Sequence, residues 1–300
     1  MHEPPALPEP PSPQALFLDA YDALLDRWGP GVERLDIPTS HGTTRVNALG
    51  PRTAPPLLLL PGGGDSSASW FANAPAWAET HRVLAVDLVG DTGRSTPADG
   101  RRIATVAQLA DWLVQLLEAL DVRDITLAGH SYGAWIALQY ALHQARNPPG
   151  DPAAPRVERL VLLDPTGCFA GYRPAYLLRA LPMLLAPSPA RVRSFLRWEG
   201  GGAAYDPDWL ALQEAAAGVR TARPVTGPRP TAAALRTLDA PMALVFAGAA
   251  RPHDAHKLAR TAARALPQAE TTVVPGCGHH GFQHLAGRQL NELVREFMRK

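Results

Sequence analysis

Ile125-Thr126-Leu127-Ala128-Gly129-His130-Ser131-Tyr132-Gly133, continued by Ala134 to Ala145, is the stretch whose reading decides the fold. Its opening is a short apolar run with a β-branched start, the pattern of a buried parallel strand. Beyond it, Ile136, Leu138, Tyr140, Ala141 and Leu142 recur at spacings that predict a helix packed on a sheet. Between strand and helix stands G-x-S-x-G, and in that context the pentapeptide reads as a nucleophile elbow. The turn is too tight for side chains beside the serine, hence Gly129 and Gly133. It lifts Ser131 Oγ clear of the sheet, with the unpaired N–H groups of the helix start beneath it.

Upstream, Leu57 to Leu60 reads as another buried strand, followed at once by Pro61-Gly62-Gly63-Gly64-Asp65-Ser66-Ser67. A glycine cluster in that place lets backbone N–H groups face a ligand closely. It contains neither G-x-x-x-x-G-K-[ST] nor G-x-G-x-x-G, so no nucleotide cofactor is expected. Val83 to Val86 is the next strand and runs into Asp87-Leu88-Val89-Gly90-Asp91-Thr92-Gly93-Arg94-Ser95. Thr105 and Gln108 form a capping box, and Leu109, Leu113, Leu116, Leu117 and Leu120 mark the inner face of its helix. Nearer the start, Val32 to Pro38 and Thr43 to Leu49 read as a hairpin turning at Ser40-His41-Gly42. Residues 1–32 form a proline-rich arm and a helix carrying Phe17, Tyr21, Leu24, Leu25 and Trp28.

Downstream, Leu160 to Leu163 is a buried strand that delivers Asp164 at its end. Over residues 166–236 the strand–helix rhythm stops, and a helical insertion rich in aromatic residues is expected over the C-terminal edge of the sheet. Those aromatics line an apolar pocket or form the core of the insertion itself. The rhythm resumes with Met242 to Ala247, a helix from about Ala255 to Leu266, and Glu270 to Val274. Pro275-Gly276-Cys277-Gly278-His279-His280 and a last amphipathic helix follow. The fold class is therefore α/β: a mostly parallel sheet with helices on both faces. Its core spans 33–165 and 237–300, interrupted by the insertion.

Three hundred residues suit one large domain of this kind. A formal net charge of +1 offers no electrostatic case for nucleic acid or a membrane surface. Two cysteines, Cys168 and Cys277, do not make a disulfide framework. The first residues lack a signal-peptide pattern, and no apolar run approaches the roughly 20 residues that span a bilayer. A soluble, cytoplasmic protein is expected.

Taken together, the glycine-rich loop, Asp-x-x-Gly-x-x-x-Arg-Ser at 87–95, the elbow at 129–133 and Gly-x-Gly-His at 276–279 resemble the α/β-hydrolase superfamily. Within it the chain, over about residues 33–300, looks like bacterial carboxylesterases with a helical cap. The resemblance implies metal-free acyl hydrolysis by a Ser/His/acid triad.

The chemistry of the residues agrees. A serine hydroxyl needs an adjacent base, and histidine suits that task with an unperturbed pKa near 6.5. The family pattern points to His279 rather than its neighbour His280. The oxyanion donors expected are the backbone N–H of Tyr132, the residue after the nucleophile, and that of Gly63, with Gly64 next in line. The usual His-Gly of that loop is Pro61-Gly62 here, a departure of no consequence for main-chain donors. The acid departs more. Most relatives carry Asp or Glu three residues after the glycine ending the penultimate strand, and here that position is Arg251. Asp164 is the acid expected in its place, with Asp254 the alternative, although Asp254 also reads as a helix N-cap. His253 and His256, like His280 and His284, stand at helical spacing but do not form H-E-x-x-H, so no metal is expected.

The expected partner is a small-molecule ester with an apolar acyl group, and a homodimer is compatible with the sequence. A thioesterase, lactonase or C–C hydrolase uses the same residues. A non-catalytic ligand receptor on this fold is the alternative of a different class, favoured by Arg251 and opposed by the intact Ser131 and His279.

Overall fold

The computed structural model describes residues 11–99, 101–148, 150–151 and 154–300. Most of the proline-rich arm expected at 2–13 lies outside them. Strands β1 (Glu33–Thr39) and β2 (Gly42–Leu49) form the antiparallel hairpin. They are followed by β3 (Pro56–Leu60), β4 (Arg82–Val86), a two-residue β5 (Thr96–Pro97), β6 (Asp124–His130), β7 (Arg156–Leu163), β8 (Met242–Ala247) and β9 (Glu270–Val274). The sheet order is β1-β2-β4-β3-β6-β7-β8-β9, with β5 on the flank of β2. Every neighbouring pair from β4 to β9 is parallel.

The apolar strand runs become continuous burial because both faces are covered. On β3, Leu58 and Leu60 point into one layer with Leu127, Leu162 and Leu244, while Leu57 and Leu59 point into the other with Ala128, Val161 and Val245. This is the two-residue alternation of a strand acting within an unbroken apolar run. The first layer receives α3 (Val106–Ala119), α4 (Tyr132–Arg146) and α9 (Ala255–Ala265). The second receives α1 (Pro13–Asp26), a 3-10 turn at Ser67–Trp70, the single turn α2 (Ala74–Trp77), and, after the short α10 (Phe282–Leu285), the terminal α11 (Gly287–Met298). The capping box of α3 is formed by Thr105 and Gln108 as their spacing predicts.

Between β7 and β8 the chain passes through α5 (Pro174–Leu185), α6 (Pro189–Glu199), α7 (Pro207–Ala216) and the single turn α8 (Ala232–Leu235). Tyr176, Phe195 and Trp209 are buried and join the second core layer. These aromatics hold the insertion together; Tyr172 stays exposed, stacked on Tyr176 with ring centroids 5.8 Å apart. Among the described residues no helix is long and apolar enough to cross a membrane.

Candidate active site

Strand β6 is paired on both sides, with Gly129 opposite Leu60 on β3 and Leu162 on β7. Helix α4 begins immediately at Tyr132, so the chain reverses on one residue: Ser131, held at φ 53° and ψ −112°. A side chain at Gly129 would overlap the carbonyl of Gly133, and one at Gly133 would overlap the carbonyl of Leu60. Both glycines are therefore required by close approach. Ser131 N–H donates to Leu163 O at 2.9 Å, fixing the elbow to β7. The Ser131 side chain makes no hydrogen bond to the first turn of α4, as a capping serine does. It turns away to His279.

His279 lies in the loop after β9, and its Nε2 accepts from Ser131 Oγ at 2.8 Å. Its Nδ1 donates to Asp164 Oδ2 at 2.5 Å. Asp164 stands just beyond β7 with φ 42°, and its other oxygen accepts from Ala247 N–H at 3.1 Å and His253 Nε2 at 2.9 Å. Asp164 is wholly buried. Burial by itself pushes its pKa up, but hydrogen bonds from His253 and His279 outweigh that and hold the carboxyl well below the usual range. For His279, burial pulls the imidazole down while Asp164 and, more weakly, the Glu199 carboxylate raise it. The net shift is upward from 6.5.

The structure thus brings Ser131, His279 and Asp164 into one relay and leaves Asp254 out. The Asp254 side chain is half exposed, caps α9 by accepting from Lys257 N–H at 2.9 Å, and lies 3.6 Å from Arg173. It serves as the N-cap of α9. Arg251 is parted from the relay as well, its guanidinium 4.7 Å over the Trp198 ring. His280 faces away from Ser131 and accepts from Tyr176 OH at 3.1 Å. Burial pushes its pKa down to about 4.

The two segments expected to carry the oxyanion donors lie side by side. A side chain at Gly63 would lie in van der Waals contact with Tyr132 Cβ, 3.5 Å away, so the glycine loop runs against the start of α4. Gly64 N–H is already taken by Asp91 Oδ2 at 3.0 Å. The Tyr132 ring runs beside the same loop, its Cδ1 3.6 Å from where a side chain at Gly63 would stand, and its hydroxyl accepts from Val225 N–H at 2.8 Å.

Three residues that sequence reading did not assign also stand here. His253, weighed only as a metal ligand, holds Asp164. Thr166 Oγ1 sits 3.5 Å from Ser131 Oγ. Glu199, at the end of α6, is buried and accepts from the backbone N–H groups of His279 at 2.8 Å and His280 at 3.1 Å. A side chain at Gly278 would collide with that carboxylate, which accounts for the second glycine of Gly-x-Gly-His. His284 Nε2 accepts from Asp206 N–H at 3.4 Å, apart from the relay. Among the described residues no group of three or more His, Cys, Asp or Glu side chains is placed to hold a metal ion.

Comparisons with known proteins follow the same line. The model of a family described as alpha/beta hydrolase matches residues 57–293. The chain is 29% identical over 272 residues to carboxylesterase YbfK of Bacillus subtilis, covering 88% of this chain and 87% of that one. It is 26% identical over 273 residues to the uncharacterized carboxylesterase nap of the same organism, covering 88% and 86%. The crystal structure of carboxylesterase CesB (YbfK) from Bacillus subtilis aligns with a TM-score of 0.83 at 26% identity, over 95% of this chain and 98% of that one. That of naproxen esterase from the same organism aligns at 0.85 with 24% identity, over 97% and 100%, a likeness of fold.

Proposed function

Because the chain belongs to the alpha/beta hydrolase family, we propose that it is a serine hydrolase of carboxylic esters working through an acyl-enzyme. The observation that carries the reading is the continuous relay from Ser131 Oγ through His279 to Asp164, at 2.8 and 2.5 Å. In this reading Ser131 Oγ attacks the acyl carbon as His279 Nε2 takes its proton. Asp164 stays ionised, keeps the imidazole in the tautomer that accepts at Nε2, and stabilises the imidazolium. The N–H groups of Gly63 and Tyr132 hold the developing oxyanion. His279 then protonates the departing alcohol. Water, deprotonated by the same nitrogen, cleaves the acyl-enzyme and restores Ser131.

Residues 166–236 act as a cap on the core formed by 33–165 and 237–300. Contacts from the insertion to the site support this: Glu199 with the His279 loop, Gln213 Nε2 with Asp65 Oδ1 at 2.9 Å, and Val225 with Tyr132. The substrate class is a small-molecule ester, as the carboxylesterase relatives suggest. Asp164 supplies the acid that Arg251 lacks, so the feature that favoured a receptor loses its force. Two free thiols favour the cytoplasm as the compartment.

Covalent labelling by a fluorophosphonate, read by intact mass, tests the reading on wild type, Ser131→Ala, Asp164→Asn and Asp254→Asn. Labelling is expected wherever Ser131 is present, slowed by the change at Asp164 and not by that at Asp254. A wild-type chain that hydrolyses no ester and takes no label would refute it.

A further inference from the structure

Helix α5 presents the wrong kind of face to water. Leu177, Leu178, Leu181, Leu184 and Leu185 fall within a stripe about 120° wide on the helix. All five are exposed, Leu178 by 71%, Leu184 by 64% and Leu185 by 75%. Exposed Tyr172 lies just before the helix. The opposite side carries buried Tyr176 and Ala180 and already packs on the protein. A surface helix of a soluble protein ordinarily turns charges outward, and a contiguous apolar patch of this kind marks an interaction surface.

Charge around the patch says what it meets. Between Asp164 and Glu199 the chain carries five arginines and no carboxylate. Arg173, Arg191, Arg193 and Arg197 are exposed on either side of the leucine stripe in sequence, and Arg179 is half-buried within α5. Asp254 and Glu214 pair with Arg173 and Arg193. Arg179 and Arg191 instead donate hydrogen bonds to Ser194 and to the Ala186 carbonyl, which carry no charge to balance theirs. The formal net charge of +1 conceals this local excess. A second copy meeting this face across a two-fold axis would set the arginines against their own images. Anionic phospholipid headgroups would neutralise them, while the leucines enter the acyl boundary.

We propose that the outer face of α5, with Arg173 at the start of the helix and Arg191 against its end, docks this protein on the surface of an anionic phospholipid membrane. The contact is peripheral. It requires no turnover, so it stands apart from the hydrolase reading.

The test is co-sedimentation of the full chain with vesicles of phosphatidylcholine, alone or mixed with phosphatidylglycerol, alongside sedimentation velocity of the free protein. Binding to the mixed vesicles is expected to be about tenfold or more tighter than to phosphatidylcholine alone, and to weaken with salt. The triple variant Leu178→Ser, Leu184→Ser, Leu185→Ser should lose that binding by about tenfold or more. Arg173→Gln with Arg191→Gln should lose it on anionic vesicles in particular. Both variants should keep wild-type hydrolysis of a soluble short-chain ester, which shows the fold intact. The proposal is overturned if wild type stays in the supernatant with both vesicles, or binds both equally. It is also overturned if the free protein is a dimer that the leucine changes dissociate, since a second copy then covers the face.

Discussion

Asp164 is worth most at the scale of single residues, because it is buried, ionised and shared by two histidines. Replacing it with Asn removes the charge that stabilises the imidazolium and permits the wrong tautomer. Asp164→Asn is expected to lower kcat/KM by roughly 10³–10⁴-fold. Asp254→Asn should leave kcat/KM within about twofold, since Asn still serves as a helix cap; steady-state kinetics on one ester compares the two. The pH profile follows from His279. The base works only when neutral, and although burial pulls its pKa down, Asp164 and Glu199 carry it above 6.5. In the free enzyme, kcat/KM should therefore rise with pH through a midpoint above 6.5. Glu199→Gln keeps an acceptor for one of the two N–H groups and removes a charge that raises His279, so the midpoint should move down. A profile unchanged in Glu199→Gln would limit Glu199 to holding the loop. Ser131 and His279 were legible because each lies in a glycine-framed turn directly after an apolar strand. Glu199 and His253 were not, because neither carries a local pattern that says where it points.

At the scale of elements, the elbow depends on two close approaches of backbone. A methyl group at Gly133 meets the Leu60 carbonyl, and neither β3 nor α4 can retreat without losing sheet pairing or core packing. Gly133→Ala should cost roughly 3 kcal/mol in stability, measured by denaturant unfolding, and should abolish labelling of Ser131. The insertion was legible only as a break in the rhythm. Its helical segments announce themselves by proline and a polar cap, as at Ser188-Pro189 and Asp206-Pro207. That α6 would aim its last residue at the catalytic loop was not. That depends on how the helices cross, which the sum of many side-chain contacts decides.

For the molecule as a whole, α1 is more than an arm. Tyr21 is fully buried and its hydroxyl donates to Asp87 Oδ2 at 3.0 Å, while accepting from Asn47 Nδ2 at 2.5 Å. Asp87 also accepts from Ser67 N–H and Arg94 N–H, each at 2.8 Å. One network thus ties α1 to β2, the turn after β3 and the loop after β4. Tyr21→Phe removes the hydroxyl that joins Asp87 to Asn47 in this buried network and should cost about 1–3 kcal/mol. A fall of several degrees in Tm by calorimetry, with activity at low temperature preserved, is the expected outcome. Arg27 extends the link to the insertion through Asp206 at 2.7 Å. This pair is part-exposed and adds little by itself.

The sequence by itself determined the alternation of buried strands and helices, the elbow and the serine at its tip, the glycine loop and the histidine after the last strand. Each is a short-range pattern in which side-chain period or a turn's steric demand acts within a few residues. Only the tertiary structure decided the rest. Ser131 and His279 are 148 residues apart, His279 and Asp164 115, and Glu199 and His279 80. Parallel strands deliver their C-terminal ends to one edge of the sheet. Which of several carboxylates then reaches the imidazole depends on strand order and loop path, and local sequence carries neither.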